Sequence, residues 1–420
     1  MALNILNKMD FSATDEDKKE ISKLTKEFVD CLKATIKRKK INGDVFVGGS
    51  FAKGTMAKSE NYDVDIFIRF DKKDDKTISE LLQKIIKELK LREKINILHG
   101  SRDYIQIEKS PKVTFEIIPT IKVSKAKDAR NTTDLSYFHV KYAKDRINSK
   151  IAREICIAKQ FFKAAKVYGA ESYVNGFSGY SVECLLIYYK SFEKMIKSFL
   201  SAKDKIIIDP ENYYKKQNIL IEINESKAHG PIILVDPTFK ERNVLAALSQ
   251  ETFDKLNNTI KAFLSKPDIG YFEVKEIDID KLKQDAKNKK AEFIQIMLTT
   301  DKQEGDIAGT KMKKFAKHLI AQIEPQFKII REEFDYKLGK TASLYIIAKS
   351  NGEVERVGPP IKLKQACEKF KKVYPNAKVK AGSLVIKIPV RLSAKDFVIN
   401  WIKNNQKKIK DMDISEIDVC

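Results

Sequence analysis

Two aspartates one residue apart, Asp63 and Asp65, interrupt an otherwise apolar stretch in which Val64 to Phe70 reads as a β-strand. Residues two apart in an extended chain share a face, so both carboxylates point one way while Val64 and Ile66 point into a core. Neighbouring like charges repel, and sheet packing gives them no compensation. A divalent cation between them supplies it. A solvated strand face accounts equally well for the pair taken alone.

The preceding segment shifts that balance. A short strand, Val45-Phe-Val47, runs into Gly48-Gly-Ser-Phe-Ala-Lys-Gly-Thr55. Gly48 and Gly49 let backbone approach a ligand without a Cβ in the way. Free amides of such a turn, with the Ser50 hydroxyl and the Lys53 ammonium, make a cradle for a triphosphate. Hard oxygen ligands beside phosphates suit Mg²⁺. A two-metal site needs a third carboxylate, and Glu116, in Val113-Thr-Phe-Glu-Ile-Ile-Pro119, is the candidate.

Around this centre, Ser12-Ala-Thr-Asp-Glu-Asp has the capping residue and acids of a helix start. Ile21, Leu24, Phe28, Leu32 and Ile36 follow at helical spacing, with a stop expected near Asn42-Gly43. Ile78 to Leu91 reads as a helix, and Ile105 to Ile107 and Val113 to Ile118 as strands. This mixture predicts an α/β or α+β domain of roughly 130 residues. From Asp145 to Leu200 the pattern is helical, broken at Asn175-Gly-Phe-Ser-Gly-Tyr180, and a further helical stretch is expected around Arg242 to Leu264. Beyond Pro267 the pattern mixes again. Strands are expected at Phe293 to Leu298, Ser343 to Ala348 and Leu384 to Val390, with a helix from Lys311 that Pro325 ends.

Lys and Arg outnumber Asp and Glu by 80 to 58, a formal charge of +22, which suits a polyanionic partner. Lysines merely decorating solvated faces give the same number. The five cysteines are scattered and never form Cys-x-x-Cys, and only four histidines are present, so zinc has little support. With neither a bilayer-length apolar run nor a secretory leader pattern at Met1, a soluble cytoplasmic chain that makes no membrane contact is expected.

The Gly-Ser turn, the paired aspartates and the distant Glu116 together resemble the nucleotidyltransferase superfamily, which also includes poly(A) polymerases. Four further segments narrow the likeness: Asp134-Leu-Ser-Tyr-Phe-His139-Val-Lys, Lys159-Gln-Phe-Phe-Lys163, Tyr168-Gly-Ala-Glu171 and Gly176-Phe-Ser-Gly-Tyr180-Ser-Val-Glu183. With Val235-Asp-Pro-Thr-Phe-Lys-Glu-Arg-Asn243 they resemble the class I, archaeal CCA-adding enzymes, in order and spacing from about residue 15 to residue 275. Glu116 stands where that group has aspartate, and Lys53 where it often has arginine.

The resemblance implies an α+β multidomain chain: a nucleotidyltransferase head with a small mixed sheet (1–140), a helical neck (141–262), an α/β body (263–325 and 393–420) and a tail (326–392). It implies that Asp63, Asp65 and Glu116 are catalytic and hold Mg²⁺. Ser50, Lys53, Lys159 and Tyr168 would contact the triphosphate. His139 and Arg242 would lie near the sugar and base, with Ser136 a further candidate. The implied partners are tRNA, through its acceptor stem, T-arm and 3′ end, with CTP and ATP as substrates and a homodimer as the assembly. The implied activity is addition of the 3′-terminal CCA of tRNA without a nucleic-acid template. A poly(A) polymerase-like terminal transferase and a non-catalytic RNA-binding protein on the same scaffold are the alternatives.

Overall fold

The capped, apolar-striped segment after Ser12 forms the helix Asp15–Arg38 in the computed structural model, which describes residues 4–98, 102–215, 217–223, 227–302 and 304–420. Thr14 is the cap: its hydroxyl accepts from the Asp17 amide at 3.1 Å. The first turn carries Asp15, Glu16 and Asp17 and the last Lys37 and Arg38, matching the helix dipole at both ends. The chain divides into two compact units, residues 1–170 with 174–274, and residues 171–173 with 275–420.

In the first unit five strands form one sheet: β1 (Gly43–Val47), β2 (Tyr62–Phe70), β3 (Ile95–Leu98), β4 (Tyr104–Ser110) and β5 (Val113–Ile121), in the order β1-β2-β5-β4-β3. The pairing of β2 with β5 is parallel, and the others are antiparallel. Val64, Ile66, Ile68, Phe115 and Ile117 are fully buried on one face, against Phe28 and Leu32 of the first long helix and Leu82 and Ile85 of the helix Ile78–Glu88. The Phe28 and Phe115 rings meet at a tilt of 46°, with centroids 4.9 Å apart. Burying each such side chain contributes about 1.5–3 kcal/mol, which fixes the register and turns the alternate residues outward.

The same unit continues into the helices Ser136–Arg146, Ser149–Ala164, Gly179–Tyr189, Phe192–Ser201 and Gln250–Ser265. Phe161, at 0% exposure, is their packing centre, with the rings of Phe192, Phe263 and Phe272 at 5.2, 5.4 and 5.3 Å. The region expected to be mostly helical also contains a three-stranded sheet. Its strands β6 (Ile206–Ile208), β7 (Ile232–Asp236) and β8 (Phe239–Asn243) pair in that order. Arg242, expected at a helix start, therefore lies on a strand, and the following helix begins only at Gln250, capped by Ser249.

The second unit has a sheet of β9 (Glu292–Thr299), β10 (Phe327–Tyr336), β11 (Thr341–Ser350) and β15 (Glu416–Val419), ordered β10-β11-β9-β15. Its core is closed by the helices Asp306–Ile323 and Ala394–Asn404 through Phe315, Leu319, Ile323 and Val398. A smaller sheet, β12 (Glu353–Pro360), β13 (Lys378–Lys380) and β14 (Ser383–Pro389), is ordered β12-β14-β13 beside the helix Lys364–Val373. The hairpin 327–350, placed by sequence with the tail, is hydrogen-bonded to β9 and shares its sheet. Among the described residues no helix is long and apolar enough to cross a membrane, and all five cysteines are free thiols.

Candidate active site

The outward face of the head sheet carries the three acids. Asp63 and Asp65 are exposed and half-buried on β2, and Asp65 is paired across the parallel ladder with Glu116 on β5. Common alternation from a shared register puts all three on one side. The Gly48 amide donates to the Asp65 carbonyl at 2.8 Å and stitches the glycine turn to β2. Gly49 has φ +60°, and a Cβ there would lie 1.7 Å from Asp65 Oδ2. Only glycine lets the turn approach that carboxylate so closely. The short helix Gly49–Lys53 follows, with Ser50 in its first turn and Gly54 as a left-handed cap.

Loss of hydration pushes the Asp65 carboxyl up to about 6, with Lys53 pulling it down and Asp63 pushing it further up. The same loss raises Asp63, offset in part by Lys163. Among the described residues, neither carboxylate accepts a hydrogen bond from another side chain. Both would gain from a cation, and their hard oxygen donors fit Mg²⁺. Glu116 is engaged differently: its Oε1 accepts from Gln106 Nε2 at 2.8 Å. Among the described residues no three acidic, histidine or cysteine side chains converge closely enough to hold a metal, so the ready-made donor set is the aspartate pair.

Behind the turn lies a buried ion network. Lys53 Nζ is 2.5 Å from Glu183 Oε2 and 5.9 Å from the centre of the Tyr180 ring. Lys159 Nζ donates to Glu183 Oε1 at 3.2 Å, to the Thr55 carbonyl at 2.9 Å and to Thr55 Oγ1 at 3.1 Å. Burial opposes ionisation of Glu183, but Lys53 and Lys159 outweigh it and hold the carboxyl at about 2. Lys163, one helical turn beyond Lys159, lies 5.6 Å from the centre of the Tyr168 ring, and burial lowers its ammonium pKa. Half-buried Tyr168 directs its hydroxyl at the start of the helix Gly179–Tyr189: a Cβ on Gly179 would lie 2.9 Å from it.

A second network gathers around Asp236, at the buried end of β7. Its Oδ2 takes His139 Nε2 at 3.0 Å and Arg242 at 2.6 Å. Its Oδ1 takes the Thr238 amide and hydroxyl, both at 2.8 Å, and the Tyr180 hydroxyl at 3.3 Å. His139 stacks on Tyr180 with centroids 3.9 Å apart, and burial lowers its pKa. The imidazole is therefore neutral near pH 7, and its bond to Asp236 fixes the tautomer. Ser136 opens the same helix, which is set in place by buried Asp134: its carboxylate binds the Arg102 guanidinium and the amides of Ile121 at 2.9 Å and Arg130 at 3.1 Å.

Eight of the ten sequence-predicted residues thus fall into three groups: the acids with Ser50, the lysines on Glu183, and His139 with Arg242 on Asp236; Ser136 opens the helix of His139, and Tyr168 lies against the helix that carries Glu183. The two buried carboxylates that organise the latter groups were not among the expected site residues. Their signal was a charged residue inside an apolar run, Val182-Glu-Cys-Leu-Leu186 and Ile232-Ile-Leu-Val-Asp236. Such residues are almost never buried unless paired.

Two family profiles match the chain in this region: a nucleotidyltransferase domain over residues 25–127, and the second domain of tRNA nucleotidyltransferases over residues 153–273. The CCA-adding enzyme of Nanoarchaeum equitans is 31% identical over 344 residues, covering 79% of this chain and 81% of that protein. The chain belongs to the CCA-adding enzyme family. The CCA-adding enzyme of Methanosarcina mazei is 28% identical, covering 92% of this chain and 84% of its own length. A solved cytoplasmic RNA terminal U-transferase is 13% identical with a TM-score of 0.48, over 65% of this chain and 97% of that one. In this chain the acidic face of β2 and β5 lies inside the first matched segment, and Glu183 and Asp236 lie inside the second.

Proposed function

We propose that this chain adds or repairs the 3′-terminal CCA of tRNA, using CTP and ATP and no nucleic-acid template. The observation that carries the reading is the pair Asp63 and Asp65 beneath the Gly48-Gly49-Ser50 turn, in a chain of this family. The 3′ hydroxyl of tRNA attacks the α-phosphate of the nucleotide, and pyrophosphate leaves.

Asp63 and Asp65 hold a divalent metal, with Glu116 as the third acid beside them. Mg²⁺, when bound there, supplies charge neutralisation for the triphosphate and acidifies the attacking hydroxyl. The amides after Gly48 and the Ser50 hydroxyl receive phosphate oxygens, and Lys53 and Tyr168 form the basic, hydroxyl-bearing wall beside them, with the Lys159 charge behind it. His139 meets the sugar as a neutral hydrogen-bonding group, and Ser136 lies one helical turn before it. Arg242, its guanidinium pinned by Asp236, presents its remaining donors to the base. The acceptor stem and T-arm are read through shape and phosphates, as duplex RNA generally is. A homodimer is the proposed assembly.

The test offers CTP and ATP, separately and together, to tRNAs lacking the last one, two or three nucleotides. Addition that stops after C, C and A is expected, and open-ended A tails would replace this reading with a poly(A) polymerase. Asp65→Ala should abolish incorporation while tRNA binding stays near wild type. Retained incorporation would remove the assignment of the metal site.

A further inference from the structure

Glu183 sits between buried Val182 and Cys184 in the helix Gly179–Tyr189, and its side chain is 1% exposed. It accepts Lys53 at 2.5 Å, Thr55 Oγ1 at 2.6 Å and Lys159 at 3.2 Å. One carboxylate thus faces two ammonium groups, more positive charge than its own neutralisation requires.

The two lysines are held differently. Lys159 has three oxygen acceptors for its three N–H donors, and two of them belong to Thr55, at the end of the glycine turn. Lys53 has Glu183 as its one hydrogen-bond acceptor among the described residues, which leaves two donors uncommitted. It closes the short helix that begins at Gly49, and its charge is felt by Asp65. Had Lys53 been the sole partner of Glu183, drawing it toward a phosphate would strand a buried carboxylate, which is strongly unfavourable. With Lys159 in place that penalty is smaller, because one counter-ion remains.

We propose that Glu183 is a positioning residue for nucleotidyl transfer. It stores the Lys53 ammonium beside the Gly48–Ser50 turn and hands it to the incoming triphosphate, while Lys159 remains as the fixed counter-ion. The proposal rests on the nucleotidyl-transfer reading above, and it assigns the two lysines separate roles: Lys53 moves, and Lys159 pins the helix Ser149–Ala164 to Thr55.

The experiment uses the full chain and two readouts: equilibrium titration of CTP without tRNA, and single-turnover C addition to a tRNA lacking its CCA end, with Mg²⁺. Glu183→Gln is expected to bind CTP as tightly as wild type, within about threefold, because the triphosphate no longer competes with a carboxylate for Lys53. Its addition rate should fall about 10- to 100-fold, the loss expected when a reacting group is misplaced by about an ångström. Lys53→Met should weaken CTP binding at least about tenfold, the effect of losing one charge-assisted phosphate contact. Adding Glu183→Gln to Lys53→Met should slow the reaction no further. A wild-type rate in Glu183→Gln overturns the proposal, as does a multiplicative loss in the double variant or a loss of CTP affinity equal to the loss of rate.

Should Glu183→Gln fail to fold, the lysines decide. Lys53→Met leaves Lys159 to neutralise Glu183 and should lower Tm less than Lys159→Met, which loses both bonds to Thr55 as well. Equal losses of Tm overturn the division of roles. A wild-type chain that adds no nucleotide would instead remove the underlying functional reading, and that result stands apart from every comparison between variants.

Discussion

Asp65 and Glu116 are paired neighbours on adjacent parallel strands, yet the Glu116 carboxylate is held by Gln106 of β4, 2.8 Å away. An amide bound to a ligating carboxylate orients it, and losing such an outer partner commonly lowers metal affinity or activity about 10- to 100-fold. Gln106→Leu should therefore raise the Mg²⁺ concentration for half-maximal incorporation by about that factor, with the fold intact by circular dichroism. An unchanged Mg²⁺ requirement would mean that Glu116 does not serve the metal through this bond.

Gly49→Ala tests the closeness of the turn to Asp65. The new Cβ would enter a left-handed backbone position and lie 1.7 Å from the carboxylate oxygen. Strain and overpacking together should lower stability by about 2–4 kcal/mol, measured by chemical denaturation. Incorporation should fall further than the folded fraction, since the turn must retreat from Asp65.

Asp236→Ala strands a buried histidine and an arginine at once. Removing one partner of a buried charged pair costs about 3–5 kcal/mol. Urea denaturation should show a loss of that order, and the KM for CTP and ATP should rise as Arg242 and His139 lose their shared anchor. A variant with wild-type stability would contradict the network at β7.

Glu183 should leave a mark on acid stability. Its folded pKa of about 2 lies below the unfolded value of 4.5, so the folded state releases its proton more readily. The contribution is fully present above pH 4.5 and is lost as pH falls through about 2. The difference in unfolding free energy between wild type and Glu183→Gln should therefore shrink across that window, by about 3 kcal/mol as an order of magnitude. A difference independent of pH would show that the carboxylate is not ionised in the fold.

The head was readable because its signals are local. The helix stripe from Ile21, the glycine turn and the alternation around Asp63 each reflect one periodicity, and burial of Val64 and Ile66 follows from it directly. The neck sheet was hidden for a physical reason. Ile232 to Val235 is continuously apolar and fits a buried strand or a helix segment equally well, and β6 has only three residues. Arg242 was consequently assigned to a helix. The hairpin β10–β11 was placed with the tail on the family resemblance, and its pairing with β9 depends on contacts that no local pattern records. Glu183 and Asp236 could have been flagged as charges in apolar surroundings. Which cations they meet depended on helices and strands far apart in the chain.

The parallel ladder between β2 and β5 has a consequence for how the protein comes into being. Asp65 and Glu116 are separated by a helix and a hairpin, so they meet only after β5 docks beside β2 in the correct register. A slip of one residue would send Glu116 to the opposite face. Because such non-local pairing forms late compared with helices and turns, a nascent or partly folded head carries the glycine turn and the aspartates without their third acid. The acidic face therefore depends on the register of the β2–β5 ladder as much as on the three acids themselves.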